Sequence, residues 1–187
     1  MPLDNQILAT CEIVKVVANR GHQQIPFPEF NDNLNSKNMD CAYAEITSWP
    51  GYVPTPLISL DKLATHCGVR SVVYKDESQR LNMKSFKALG GAYAVANLVT
   101  KLGAMGVKPK SITVTTATDG NHGRSVAWGA QQAGCRAKIY IHEHVSEQRA
   151  DAMSTFGAKV NRIKGNYEAS LAACKADAEA NNWHIVS

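Results

Sequence analysis

No apolar run in this sequence approaches the length of a membrane span, so a helical membrane protein is not expected. Cysteine is sparse and unpatterned. Cys11, Cys41, Cys67, Cys135 and Cys174 make an odd number without a CxxC pair. That argues against a disulfide framework and for a reducing compartment, and each is expected to be a small buried hydrophobe. Basic residues never run longer than two together and the net charge is only +4, so nucleic acid is not an expected partner. The opening residues Met1-Pro2-Leu3-Asp4-Asn5-Gln6 lack a basic segment followed by an apolar core. Neither a signal peptide nor a membrane partner is expected, and the expected location is cytoplasmic. There is no GKS or GKT phosphate loop and no GxGxxG turn, and no internal repeat.

What is present is an ordinary globular composition. The 187 residues are 44% hydrophobic and 19% charged, enough for one domain or a little more and for a real core. Residues 9–19 read as a helix with Ile13, Val14, Val16 and Val17 partly buried. Residues 21–40, rich in Asn, Pro, Gln and Asp, read as irregular. Pro54 and Pro56 stiffen an extended piece over 51–57, and 61–67 reads as a short helix ended by Gly68. Strands and helices then alternate: strand 71–75, helix 86–102, strand 112–116, a helix from 121 or 123 to 133, strand 136–141, helix 146–156 capped by Ser146, strand 158–163, helix 166–181, and a strand beginning at 184. Such alternation predicts an α/β fold, a doubly wound open sheet, mostly parallel. Ligands in such sheets bind beyond the carboxyl ends of the strands.

Two stretches that follow strands carry chemistry. In the first, Ala88, Leu89, Ala92, Tyr93, Val95, Ala96 and Leu98 fall near a 3.6-residue period. Ser85 is placed to cap that helix, which puts Lys87 in its first turn. The helix dipole disfavours a cation there, so the neutral amine needed to bond a carbonyl carbon is favoured. A solvated surface lysine is the alternative. The second stretch, Thr115-Thr116-Ala117-Thr118-Asp119-Gly120-Asn121-His122-Gly123, is a strand, a tight turn and a helix start. Gly120 and Gly123 are expected to allow positive φ and close approach of a ligand, and the helix N-terminus offers free amides. Asp119 brings a carboxylate into the turn, with helix capping as its alternative role. Arg124 either contacts a carboxylate or lies on the helix surface. Cys135, His142 and His144 are metal-ligand types without a further ligand set. The two histidines therefore read as solvated loop residues, and no metal is expected.

Together, Ser85-Phe86-Lys87 and Gly120-Asn121-His122 resemble the fold type II pyridoxal-phosphate enzymes, the family of threonine and serine dehydratases, cysteine synthases and tryptophan synthase β chains. Lys87-Ala88-Leu89-Gly90-Gly91-Ala92-Tyr93-Ala94 and Thr118-Asp119-Gly120-Asn121-His122-Gly123-Arg124 are similar to its diaminopropionate ammonia-lyase branch. So are Tyr52-Val53-Pro54-Thr55-Pro56-Leu57, Lys75-Asp76-Glu77-Ser78 and Val126-Ala127-Trp128; the similarity runs from about residue 50 to 187. Asn82 and Ser125 stand where the family commonly has glycine. Asparagine tolerates a left-handed conformation, and Ser125 is expected to crowd its turn slightly. No Gly-Gly-Gly stretch occurs. In the family, the phosphate-holding loop and the group facing the pyridine nitrogen lie in the second half, so this chain looks like the N-terminal half only.

The resemblance implies an irregular N-terminal segment over 1–50, the first part of a large cofactor domain over 51–85, a small αβα domain over 86–187, and a homodimer when complete. It implies pyridoxal 5′-phosphate as cofactor, bound by Lys87, Phe86 and Asn121, and a small amino acid as substrate, met by Thr118, Asp119, Gly120 and His122. The implied reaction is α,β-elimination of 2,3-diaminopropionate to pyruvate and ammonia, with Lys87 and Asp119 as the catalytic pair. Three alternatives stay open on sequence: an inactive remnant of such an enzyme, a threonine or serine dehydratase-like deaminase, and an anion-binding module built on the Gly120 turn. The last leaves Lys87 without a task.

Overall fold

The computed structural model describes residues 34–187; the expected helix over 9–19 and the irregular reading of 21–33 lie outside the described residues. The chain divides into two units between Asn38 and Met39, and the second carries the sheet. The first described element is a helix, α1 (Ser36–Ser48). The Asn35 carboxamide oxygen accepts from the Asn38 amide at 2.9 Å, as a helix N-cap does. The irregular reading is therefore corrected over 36–40, where the asparagines start a helix instead of prolonging a loop. Just past α1, Trp49 is buried and meets Trp128 edge-on, with ring centroids 5.3 Å apart.

The extended piece after Pro56 becomes strand β1 (Leu57–Ser59), followed by α2 (Asp61–Cys67) and β2 (Val73–Lys75). These two strands pair antiparallel, with Leu57 opposite Lys75. The strand expected at the head of the parallel alternation is thus in a separate ribbon. Its ends are closed by backbone bonds from Leu60 N to Val72 O at 2.9 Å and from Asp76 N to Pro56 O at 3.0 Å. The proline-stiffened segment supplies a ready extended edge, and β2 pairs with it. Both strands are exposed throughout, leaving Leu57, Ile58, Val73 and Tyr74 as exposed apolar surface of the kind that marks a packing or binding face.

The Lys75-Asp76-Glu77-Ser78 motif ties this ribbon to the loop that follows. Arg80, only 5% exposed, donates to Glu77 Oε2 at 2.8 Å, Glu77 Oε1 at 2.9 Å, Thr55 Oγ1 at 2.9 Å and Val53 O at 3.1 Å. Lys75 Nζ donates to Thr55 O at 2.6 Å. The guanidinium bonds hold the Glu77 carboxyl at about 2, against an ordinary 4.5. A depressed carboxylate stabilises the fold above its unfolded value, and that stability is lost as pH falls through the folded value. Acidification from about 4.5 toward 2 is therefore expected to lower the unfolding temperature more in the native chain than in Glu77→Gln. At neutral pH, Glu77→Gln is expected to cost about 2 kcal/mol, the scale of charge-assisted hydrogen bonds; thermal melts across pH check both.

The main sheet is formed by β3 (Thr113–Ala117), β4 (Arg136–His142), β5 (Lys159–Ile163) and β6 (His184–Ile185). It is wholly parallel, in the order β5-β4-β3-β6. The connecting helices are α4 (Asn121–Ala133), α5 (Glu147–Ser154) and α6 (Tyr167–Asn181), with α3 (Lys87–Ala104) entering before β3. Successive strand residues face opposite ways, and the core divides accordingly. Val114, Ile139 and Ile141 pack with Val95 and Val99 of α3, Val126 and Ala130 of α4 and Met153 of α5. On the other face Ala117 and Tyr140 pack on Cys174 of α6. Helices on both faces confirm the doubly wound reading. From β3 the chain winds outward to β5, then crosses to β6 on the other side, so the sheet has a switch point at the carboxyl ends of β3 and β6.

Small residues let α3 and α4 touch. A Cβ on Gly129 would lie 2.7 Å from Ala92 Cα, while one on Gly90 would meet nothing within 4 Å. Gly129→Ala is expected to cost about 1–3 kcal/mol by overpacking. Gly90→Ala is expected to be neutral or to stabilise by up to about 1 kcal/mol; chemical denaturation of both distinguishes contact from composition. Ser125, fully buried, does more than crowd. Its hydroxyl accepts from Ala92 N at 2.9 Å and donates to Ala88 O at 3.1 Å, bridging the two helices one residue beyond Lys87. Of the described cysteines, Cys174 is buried but Cys41 and Cys67 are exposed, so the buried-hydrophobe reading does not hold for those two, both of which lie on helices that are largely exposed.

Candidate active site

Lys87 is the first residue of α3. Phe86 occupies the cap position without a side-chain bond, yet Ser85 still serves the helix start, its hydroxyl accepting from the Lys87 amide at 3.2 Å. The loop before it is unusual. Leu81, Asn82 and Lys84 have φ of 46°, 56° and 55°, a left-handed region that non-glycine residues enter rarely. Asn82 takes up the conformation that its side chain tolerates. Arg124 holds this loop from α4, donating to Met83 O and Asn82 O, each at 3.4 Å, and stacking over Phe156 at 5.9 Å. Among the described residues it meets no carboxylate, and it does not lie free on the surface; sequence offered no signal for its two carbonyl partners some forty residues earlier.

The second stretch forms the turn after β3. Its organiser is Thr118, 5% exposed, whose hydroxyl accepts from Gly120 N at 3.1 Å and Gly123 N at 3.2 Å. That is the capping role considered for Asp119, one residue displaced. The glycines also work differently from expectation. Gly120 has φ of 162°, extended backbone open to any residue. Gly123 is inside α4, where a Cβ would collide with Thr118 Cγ2 and lie 2.8 Å from Met153 Sδ and 3.0 Å from Ile139 Cγ2. Gly123 therefore permits close helix–strand packing, not positive φ.

Asp119 is freed by this arrangement. Its side chain is 59% exposed, and Oδ1 lies 3.1 Å from His142 Nε2. Its carbonyl accepts from Arg149 Nη1 at 3.2 Å. His142 is thus not a solvated loop histidine: it ends β4 with a side chain 18% exposed. His122, half-buried, bonds through Nε2 to Val186 O at 3.0 Å and so ties α4 to the end of β6. No group of three or more metal-ligand side chains converges among the described residues.

A cavity of about 480 Å³ opens at the switch point. It brings together Lys87, Thr118, Asp119, Gly120, Asn121 and His122, six of the seven residues singled out on sequence. Phe86 is not among its walls and is 65% exposed. Arg149 and Tyr167 also line it. They come from the first turns of α5 and α6, and in the sequence they look like ordinary helix-surface residues. Among the described residues the Lys87 amine makes no ion pair or hydrogen bond. A free primary amine, a carboxamide and helix-start amides in one open cleft fit the aldehyde and hydroxyl end of pyridoxal phosphate. The sequence holds no tri-glycine cup for the phosphate.

Comparison with known proteins identifies the family. Residues 48–187 match the family described as "Pyridoxal-phosphate dependent enzyme". Diaminopropionate ammonia-lyase of Escherichia coli strain K12 is 39% identical over 147 residues, covering 73% of this chain and 37% of the relative. Its counterpart in Salmonella typhimurium strain LT2 is 36% identical over 152 residues, covering 73% and 38%. A crystal structure of selenomethionine-incorporated holo diaminopropionate ammonia-lyase from Escherichia coli superposes with a TM-score of 0.82 at 33% identity, over 91% of this chain and 45% of that one. The chain thus spans less than half the length of these relatives. Among the described residues no helix is long and apolar enough to cross a membrane. With a matching family model over three quarters of its length and the lysine in the expected cleft, the chain belongs to the pyridoxal-phosphate dependent enzymes, whose cofactor is pyridoxal 5′-phosphate.

Proposed function

We propose that this chain carries the lysine-bearing half of the active site of a diaminopropionate ammonia-lyase, converting 2,3-diaminopropionate and water to pyruvate and two molecules of ammonia. The observation that carries the reading is that Lys87 and Asp119 line one cleft. The cofactor, when bound, supplies the electron sink at the substrate's α carbon; the remaining work falls to side chains. Lys87 Nζ would hold the cofactor, and its free amine would take the α proton from one face. The Asp119 carboxylate takes it from the other face, which makes both enantiomers usable. The same carboxylate can bind the substrate's second ammonium or return a proton to the departing amine. Asn121 is assigned to the cofactor's ring hydroxyl. Thr118, Gly120 and His122 shape the substrate side.

The same reading assigns 51–85 to a large cofactor domain and 86–187 to the small domain, in a cytoplasmic homodimer. The uncovered apolar ribbon of Leu57, Ile58, Val73 and Tyr74 supports further packing there. Pyruvate and ammonia release from D- and L-diaminopropionate, compared with threonine and serine, tests the substrate. Preference for either hydroxyl amino acid would replace the proposal with a dehydratase-type deaminase. No turnover of any of the four would favour an inactive remnant.

A further inference from the structure

We propose that His142 is a positioning residue for Asp119, fixing the carboxylate that works on one face of the substrate; the inference rests on the acid–base role of Asp119 proposed above. The geometry defines a directed chain of bonds. His142 Nδ1 lies 3.2 Å from the backbone amide of His144. An amide nitrogen only donates, so Nδ1 accepts and carries no proton. In the neutral ring the proton therefore sits on Nε2, 3.1 Å from Asp119 Oδ1, and Nε2–H donates to the carboxylate. A tight turn after the strand thereby selects the tautomer, and the tautomer selects what the ring can do for Asp119.

The pair is asymmetric in the way a positioning pair requires. His142 ends a strand whose Ile139 and Ile141 are fully buried, so its ring hangs from a rigid support. Asp119 sits on an exposed turn and has no such anchor. Its backbone is held by Arg149 at the carbonyl and, next door, by the two amides on Thr118. Its side chain is held by His142 alone among the described residues, and Oδ2 has no partner there. Arg149 and Lys87 are cations that line the cleft with it. A contact whose carboxylate is 59% exposed adds little to stability, so folding alone does not account for it. A general base, in contrast, loses rate steeply when misplaced by an ångström.

Two measurements test the proposal. By proton–nitrogen NMR of the full chain, a slowly exchanging His142 Nε2–H proton is expected in the native protein and is expected to vanish in Asp119→Ala. Its absence from the native spectrum would overturn the proposal. In the holoenzyme, His142→Phe is expected to lower kcat about tenfold for the enantiomer that depends on Asp119, with KM and the other enantiomer changed less than about twofold. His142→Gln, which restores an N–H near the Nε2 position, is expected to recover most of the loss. Equal losses on both enantiomers, or no recovery with glutamine, would overturn it. If Asp119→Ala itself does not separate the enantiomers, the role of Asp119 falls and this proposal with it. If Asp119→Ala separates them and His142→Phe does not, only the positioning role falls.

Discussion

Lys87→Ala is expected to leave a folded protein that no longer retains pyridoxal 5′-phosphate after borohydride reduction, while the native chain gives a mass adduct on Lys87. The expectation follows from where the amine sits. Lys87 is exposed, opens α3 and lines the cleft. Its amine has no partner to lose among the described residues, and alanine is a good helix former, so stability is expected to change by no more than about 0.5 kcal/mol. The loss is then chemical. Turnover is expected to fall by at least about a thousandfold, since a group that forms the covalent link acts as a unit with its neighbours and nothing replaces it. An adduct on a different lysine, or full turnover in the variant, would refute the assignment.

Asp119→Ala is expected to separate the two enantiomers of diaminopropionate. The carboxylate does not build the turn: Thr118 supplies the oxygen that caps Gly120 and Gly123, and Arg149 holds the residue by its backbone carbonyl. Removing the side chain therefore takes away an acid–base group and leaves its support. The enantiomer whose α proton faces Asp119 is expected to lose about a hundredfold or more in kcat, the usual yield of a positioned general base. The other, served by Lys87, is expected to change little. Steady-state kinetics on the two pure enantiomers decides; equal losses would end the two-face mechanism. Asp119→Asn keeps the shape without the base and is expected to behave like the alanine variant.

Much of the architecture was legible because its signals are local. Apolar spacing and glycine stops placed α3 to α6 and β3 to β6 within a few residues, and the alternation of the two element types calls for a parallel sheet wherever it occurs. Ser85, Lys87 and Asn82 were readable for the same reason: a helix start and a left-handed turn depend on a few adjacent residues. Val73–Lys75 was misplaced because strand propensity says that a segment is extended, not which edge it joins. Only the proline-stiffened segment before it, brought alongside in space, decided that.

The sequence by itself determined the residue types, the order of strands and helices, and the positions of an amine and a carboxylate each just beyond a strand. The tertiary structure alone decided which groups those two would meet. Asp119 faces His142 and Arg149, which lie 23 and 30 positions further along the chain. Arg124 reaches back to Asn82 and Met83, and Gly123 and Gly129 are glycine because helices and a strand come too close for a Cβ. Such partners are set by sheet order and helix contact, which fix side-chain directions only after distant elements have docked.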